Sequence, residues 1–143
     1  MHFELHPQLA QDTDMIGQFP LCLALLHKDA AVPWVILVPK KSPLKELHHL
    51  PMQDQQQFLL ESQAVSQALE ALFQPDKLNL GALGNIVPQL HIHHIARFAT
   101  DCAWPGPIWG NTEGVQRSDK DQQEMLQRLR TILSLSTLFS SEV

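Results

Sequence analysis

Residues 52–73 carry one uninterrupted helical pattern, and it sets the terms for the rest of the chain. Phe58, Val65, Leu69 and Leu72 recur at spacings of seven, four and three, which puts them on a single face. Gln53, Gln56, Gln63 and Gln67 supply the wetted side. Gln74-Pro75 closes the element, because the residue before a proline avoids helical geometry. A helix with one apolar face needs a second layer to bury it.

The candidate second layer is a set of short apolar runs. Residues 21–27 (Leu-Cys-Leu-Ala-Leu-Leu-His) read as a buried strand, and residues 34–38 (Trp-Val-Ile-Leu-Val) as a second. The turn Lys28-Asp29-Ala30-Ala31 makes them an antiparallel hairpin, which Pro39 stops because it cannot donate to a ladder. Residues 77–83 alternate as a half-buried strand does, Gly84-Asn85 turns the chain, and residues 89–97 form a further strand. Residues 2–20 are expected to be an irregular lead-in, with a turn or short helix start at His6-Pro7. Ser42-Pro43 reads as an N-cap and first helical residue of a short turn over 43–49. Ser118-Asp119-Lys120-Asp121 opens a terminal helix from 119 to about 138, with Leu126, Leu129, Ile132 and Leu133 on its apolar side. The expectation is one α+β domain over 1–143, with an antiparallel sheet of about five strands and the long helix packed on one face.

Composition excludes several classes of function. The net charge of −5 and the pI of 5.8 leave no basic stripe for nucleic acid. The longest apolar run, Leu21 to Leu26, is far too short to span a bilayer. Met1-His2-Phe3-Glu4 lacks the basic and apolar regions of a signal peptide, so a cytoplasmic location is expected. Cys22 and Cys102 are then expected to be free thiols. No cofactor motif is seen.

Chemistry concentrates in Gly84-Asn85-Ile86-Val87-Pro88-Gln89-Leu90-His91-Ile92-His93-His94-Ile95. On a strand, Gln89, His91 and His93 share one face, while Leu90, Ile92 and His94 take the other. Imidazoles two residues apart can flank one tetrahedral phosphate: the neutral ring is a nucleophile, and imidazolium is a donor to anionic oxygen. The Gly84-Asn85 loop could add backbone N–H groups. A His-x-His pair is also compatible with plain surface residues or a metal site, although no third ligand stands at a recognisable spacing. His94 fits a packed histidine, and His48-His49 a solvated helix end.

This segment resembles the histidine triad (HIT) superfamily. That family's pattern has three histidines alternating with apolar residues after a Gly-Gln-Ser/Thr-Val-Pro-like loop, and Gly84, Val87, Pro88, Leu90, His91, Ile92 and His93 match it in register. Ile36-Leu37-Val38-Pro39-Lys40 followed by a helix, and Trp104-Pro105-Gly106-Pro107, are similar to further family features, so the likeness spans 21 to about 110. The resemblance implies a nucleotide hydrolase or nucleotidyl transferase acting on the α-phosphate of nucleotide conjugates. Dinucleoside polyphosphates, nucleoside phosphoramidates and adenylylated amines are the implied substrates. His91 would be the nucleophile, forming a covalent nucleotidyl-histidine, and His93 would hydrogen-bond the phosphate. A homodimer is implied as well. This chain departs from the pattern in four places: Gln89 replaces the first triad histidine, Ile86 the loop hydroxyl, Asn85 a glutamine, and Trp34 a supporting histidine on the second strand. Glutamine donates a hydrogen bond but cannot shuttle a proton. Asp29 is the candidate ribose ligand or a plain turn aspartate. Trp104 and Trp109 close a pocket or a subunit contact, or pack locally under the prolines. A nucleotide-binding module with little catalysis is the alternative reading.

Overall fold

A computed structural model of the protein describes residues 2–41 and 44–143. The elements run α1 (Pro7–Asp12), β1 (Thr13–Gln18), β2 (Cys22–His27), β3 (Trp34–Pro39), α2 (Met52–Phe73), β4 (Lys77–Gly81), β5 (Ile92–Arg97) and α3 (Asp119–Leu133). The five strands form one antiparallel sheet in the order β1-β2-β3-β5-β4. β5 therefore enters the sheet between β3 and β4, and the histidine segment leads into its centre.

Strand alternation divides the molecule into two layers. Ile16, Cys22, Ala24, Leu26, Val35, Leu37 and Ile92 turn towards α2 and α3, where Phe58, Val65, Leu69, Leu126, Leu129 and Leu133 cover them. Leu23, Leu25, Trp34, Ile36, Val38 and Ile95 turn the other way. That face has no long helix; Leu9 and Ile108 pack on it, with Phe3, Leu5, Val87 and Trp109 at its margin. The long-helix stripe thus lies where its periodicity places it, with the four glutamines exposed.

Polar groups fasten these layers. Glu61 of α2 is fully buried, and its carboxylate accepts the N–H groups of Leu21 and Cys22 at 2.9 Å each and Gln57 Nε2–H at 2.8 Å. These bonds tie the helix to the start of β2. Burial and the Glu61 charge push the Cys22 thiol up. Arg97, at the end of β5, donates to both oxygens of Asp101, to Asn79 Oδ1 and to the Gly106 carbonyl. The guanidinium and these hydrogen bonds hold the Asp101 carboxyl well below the usual range.

Several boundaries differ from the sequence expectation, β2 starting at Cys22 rather than 21 and β3 running through Pro39 among them. The lead-in is ordered: α1 and β1 occupy residues 7–18, and β1 pairs with β2. His6 caps α1 by accepting Gln8 N–H on Nδ1 at 3.1 Å. The final strand begins at Ile92 rather than 89, because the residues before it are bonded elsewhere. β4 ends at Gly81 and α3 at Leu133, short of 83 and 138. The short turn before α2 is a 3₁₀ segment over Leu47–His49, with His48 and His49 exposed, and the Ser42-Pro43 cap lies outside the described residues.

Candidate functional site

Ile36 of β3 pairs with His93 of β5, and Gly81 of β4 pairs with it on the other side. His93 is therefore fixed in mid-sheet. His91 enters beside it, with ring centroids 5.0 Å apart at 66°. Both rings are buried.

Hydrogen bonds assign a role to each ring nitrogen. His91 Nδ1 lies 2.7 Å from the Gln89 carbonyl, which can only accept. Nδ1 therefore carries the proton, and the Nε2 lone pair is free. His93 is arranged the opposite way. Trp34 Nε1–H donates to its Nδ1 at 2.9 Å, so its own proton sits on Nε2. That Nε2–H is buried without a partner among the described residues. Desolvation, with the neighbouring His91, His27 and His94, pulls the His93 pKa down to about 3 and keeps the ring neutral. One ring thus offers a lone pair and its neighbour an unused donor.

His94 faces α2. Its Nδ1–H donates to the Ile92 carbonyl at 3.1 Å, and its Nε2 accepts Ser62 Oγ–H at 2.7 Å. Burial lowers its pKa to about 4. It is the packed histidine the sequence suggested.

The Gln89 side chain is committed to the N-terminal segment. Its Oε1 accepts His6 N–H at 2.8 Å, and its Nε2–H donates to the Glu4 carbonyl at 2.8 Å. A carboxamide presents an acceptor and a donor side by side, as a peptide group does, and here it pairs with residues 4–6 like a fragment of strand. A small cleft beside His91 is lined by Lys45, Glu46, Gly84 and Gln89. Asn85 is exposed in the adjoining loop, next to Gly84 at φ +67°, and Ile86 is 90% exposed.

Asp29 is buried, with one carboxylate oxygen accepting Ala31 N–H at 2.8 Å and the other the Thr112 hydroxyl at 2.6 Å. These are the bonds of a turn aspartate that also anchors the segment after Trp109. Trp104 lies on the Arg97 guanidinium, 5.7 Å from the ring centroid, and is 37% exposed. The tryptophan packed against His93 is Trp109, at 5.4 Å and 79°. Gly81 makes room for it: a Cβ there would lie 3.0 Å from Trp109 Cη2. Local packing was the simpler sequence reading of Trp109, and its proximity to His93 had no signal short of knowing that Gly81 faces that histidine.

His27 also belongs to this neighbourhood. Its ring stacks on Trp34 at 4.1 Å and 11°. It accepts Asp29 N–H on Nδ1 at 3.0 Å, which puts the proton of the neutral ring on Nε2, and burial lowers its pKa. The hairpin register, with Leu26 opposite Val35, was the available clue, since it sets His27 against Trp34. Among the described residues, no group of three His, Cys, Asp or Glu side chains could hold a metal ion.

Known proteins share this fold. The model of the HIT domain matches residues 8–100. The crystal structure of a histidine triad protein from Marinobacter aquaeolei superposes with a TM-score of 0.91 at 45% identity, covering 94% of this chain and 98% of that one. A histidine triad protein from Bradyrhizobium japonicum gives 0.90 at 41%, covering 93% and 99%. A hypothetical histidine triad nucleotide-binding protein from Sulfolobus tokodaii shares the fold, at 0.66 and 14% identity over 86% and 85%. No curated protein matches the sequence. The fold and the domain match make this an α+β protein of a family whose members are generally nucleotide-binding hydrolases and transferases. The chain belongs to the histidine triad (HIT) family.

Proposed function

We propose that the protein is a nucleotide hydrolase or nucleotidyl transferase acting on the α-phosphate of nucleotide conjugates, either dinucleoside polyphosphates or nucleoside phosphoramidates. The observation that carries this reading is the opposite polarity of two adjacent rings: a free lone pair on His91 Nε2 and an unpartnered N–H on His93 Nε2. His91 Nε2 attacks phosphorus, the P–N bond forms, and the bond to the leaving group breaks with its electron pair on that group. The Gln89 carbonyl accepts from His91 Nδ1–H and stabilises the positive charge that develops on the ring. His93 Nε2–H donates to a non-bridging oxygen. Water then attacks phosphorus, the electron pair of the P–N bond returns to His91, and a nucleoside monophosphate and a proton are released.

The Gly84-Asn85 loop would supply backbone donors to the phosphate chain. Asp29 and Trp104 would bound the nucleoside side, with Trp34 acting on phosphate through His93. The resemblance also supports a homodimer. One observation favours the alternative, a binding module with weak catalysis: Gln89 is hydrogen-bonded to residues 4 and 6 and cannot move a proton.

Intact-protein mass spectrometry after rapid mixing with adenylylated and guanylylated substrates tests the proposal, with nucleoside monophosphate followed in the same samples. A nucleotidyl adduct on wild type and none on His91→Ala is expected. Tight binding of AMP or GMP with neither adduct nor release would select the binding module. Turnover by His91→Ala at the wild-type rate would remove the covalent mechanism.

A further inference from the structure

The family resemblance sets a supporting histidine at the position of Trp34, and an indole differs from an imidazole in one respect that matters here. An indole N–H only donates, whereas an imidazole nitrogen donates or accepts according to its tautomer. Trp34 Nε1 lies 2.9 Å from His93 Nδ1, and both side chains are buried. A donor that can never accept leaves His93 one arrangement: lone pair on Nδ1, proton on Nε2. Protonating Nδ1 would set two N–H groups head to head with no water to relieve them.

The indole is itself held from both sides. His27 stacks flat on it, and β3 pairs Trp34 with Ile95 of β5, two residues beyond His93. The indole plane and the histidine are therefore fixed by the same two strands. The titratable groups facing His93 are His91 beside it, His27 across Trp34 and His94 on its own strand. Among the described residues, none of the three is within hydrogen-bonding reach of His93, so Trp34 is the group that sets its proton.

We infer that Trp34 is a positioning residue that locks His93 as a neutral Nε2–H donor, so that the phosphate-binding hydrogen is aimed before substrate arrives. The phosphate role rests on the function proposed above, but the lock does not depend on it. An imidazole at position 34 would allow the pair to exchange roles; the indole removes that freedom. The proton on His93 Nε2 follows directly, since the ring's one acceptor nitrogen is already occupied, and among the described residues that N–H has no partner. His93 then stabilises charge without taking part in proton transfer.

Nitrogen-15 NMR of the histidine rings of the wild-type protein is the first test, because it needs neither a variant nor a substrate. The expected result is an Nε2–H tautomer for His93 that does not change between pH 5 and 8, together with a slowly exchanging Trp34 indole proton. A proton on His93 Nδ1, or titration of His93 within that range, would overturn the inference. The second test compares Trp34→Phe with Trp34→His. The phenylalanine variant keeps a ring against His27 and loses the N–H; His93 should then show mixed tautomers and begin to titrate. Its kcat for adduct formation should fall at least about tenfold with a smaller change in KM, as for loss of an aimed transition-state donor. Trp34→His should recover most of that loss. An unchanged tautomer and pH profile in Trp34→Phe would refute the lock. A wild type with the expected tautomer but no adduct from any nucleotide would refute the enzymatic reading and leave the lock standing.

Discussion

Gln89 should behave as a clamp on residues 4–6, and its removal has a calculable effect. The side chain makes two hydrogen bonds of 2.8 Å to that segment, one in each direction. A neutral hydrogen bond contributes about 0.5–1.5 kcal/mol net, so the pair is worth roughly 1–3 kcal/mol of docking. Gln89→Ala should therefore open the segment more often by about 5- to 150-fold, at about 1.4 kcal/mol per factor of ten. Phe3 and Leu5 still pack at the sheet margin, so the segment should loosen rather than leave. Hydrogen exchange with mass spectrometry on peptides covering residues 2–10 reads this directly through the His6 amide. Gln89→Glu keeps the acceptor for His6 N–H but turns an oxygen towards the Glu4 carbonyl, and it should loosen the segment at least as much. Gln89→His loses at least one bond, because its two ring nitrogens diverge where the carboxamide groups lie side by side. Restoring the family's histidine should then free residues 4–6 as alanine does. Unaltered exchange at His6 in Gln89→Ala would show that apolar packing alone holds the segment, and the clamp argument would fail.

Three other outcomes follow from the packing. Glu61→Ala leaves the buried Leu21 and Cys22 amides without an acceptor and should cost about 2–6 kcal/mol in urea unfolding; a loss below about 1 kcal/mol would refute that account. His93 and His94 have folded pKa values depressed to about 3 and 4, from 6.5 when unfolded. Above pH 6.5 both states leave them neutral and no stability is lost. As pH falls below 6.5 the unfolded chain binds protons that the folded chain refuses, so stability drops by up to about 1.4 kcal/mol per histidine per pH unit towards pH 4. Denaturant midpoints that do not change between pH 7 and 5 would contradict this. Gly17→Ala places a methyl against the Ser140 carbonyl and the Phe139 ring and should destabilise by about 1–3 kcal/mol, with thermal melting as the check; an unshifted melting temperature would mean that the segment after α3 yields freely.

The parts of the fold legible in the sequence were those whose order is local. Phe58, Val65 and Leu69 repeat with the helical period, and the runs at 22–26 and 34–39 are apolar over their whole length. β1 was missed because Thr-Asp-Met-Ile-Gly-Gln has neither alternation nor a β-branched run; pairing with β2 and a bridge from Gln18 to Ser140 make it a strand. Tertiary pairing there outweighs propensity. The site divides in the same way. His91 and His93 were legible from spacing, whereas the Trp34 bond to His93 spans 59 residues and the Gln89 bonds span 83 and 85. No pattern on one strand reports such partners. Trp109 reaches His93 only because Gly81 lacks a side chain, which is a fact about three separate segments at once.

The strand order has a consequence for how the chain is made. β1, β2 and β3 can pair as soon as residue 39 is free of the ribosome, but the neighbour of β3 is β5, and about fifty residues separate Pro39 from Ile92. At about 5–20 residues per second, the fully buried edge of Trp34–Pro39 waits some 3–10 s for its partner. Through that interval the nascent sheet ends in an open, almost wholly apolar strand, the kind of edge on which other chains add. α2 is synthesised in the gap and covers only one face. The strand carrying His93 is thus also the one that ends the chain's exposure to aggregation, and substitutions that slow its insertion should lower soluble yield even where the finished fold tolerates them.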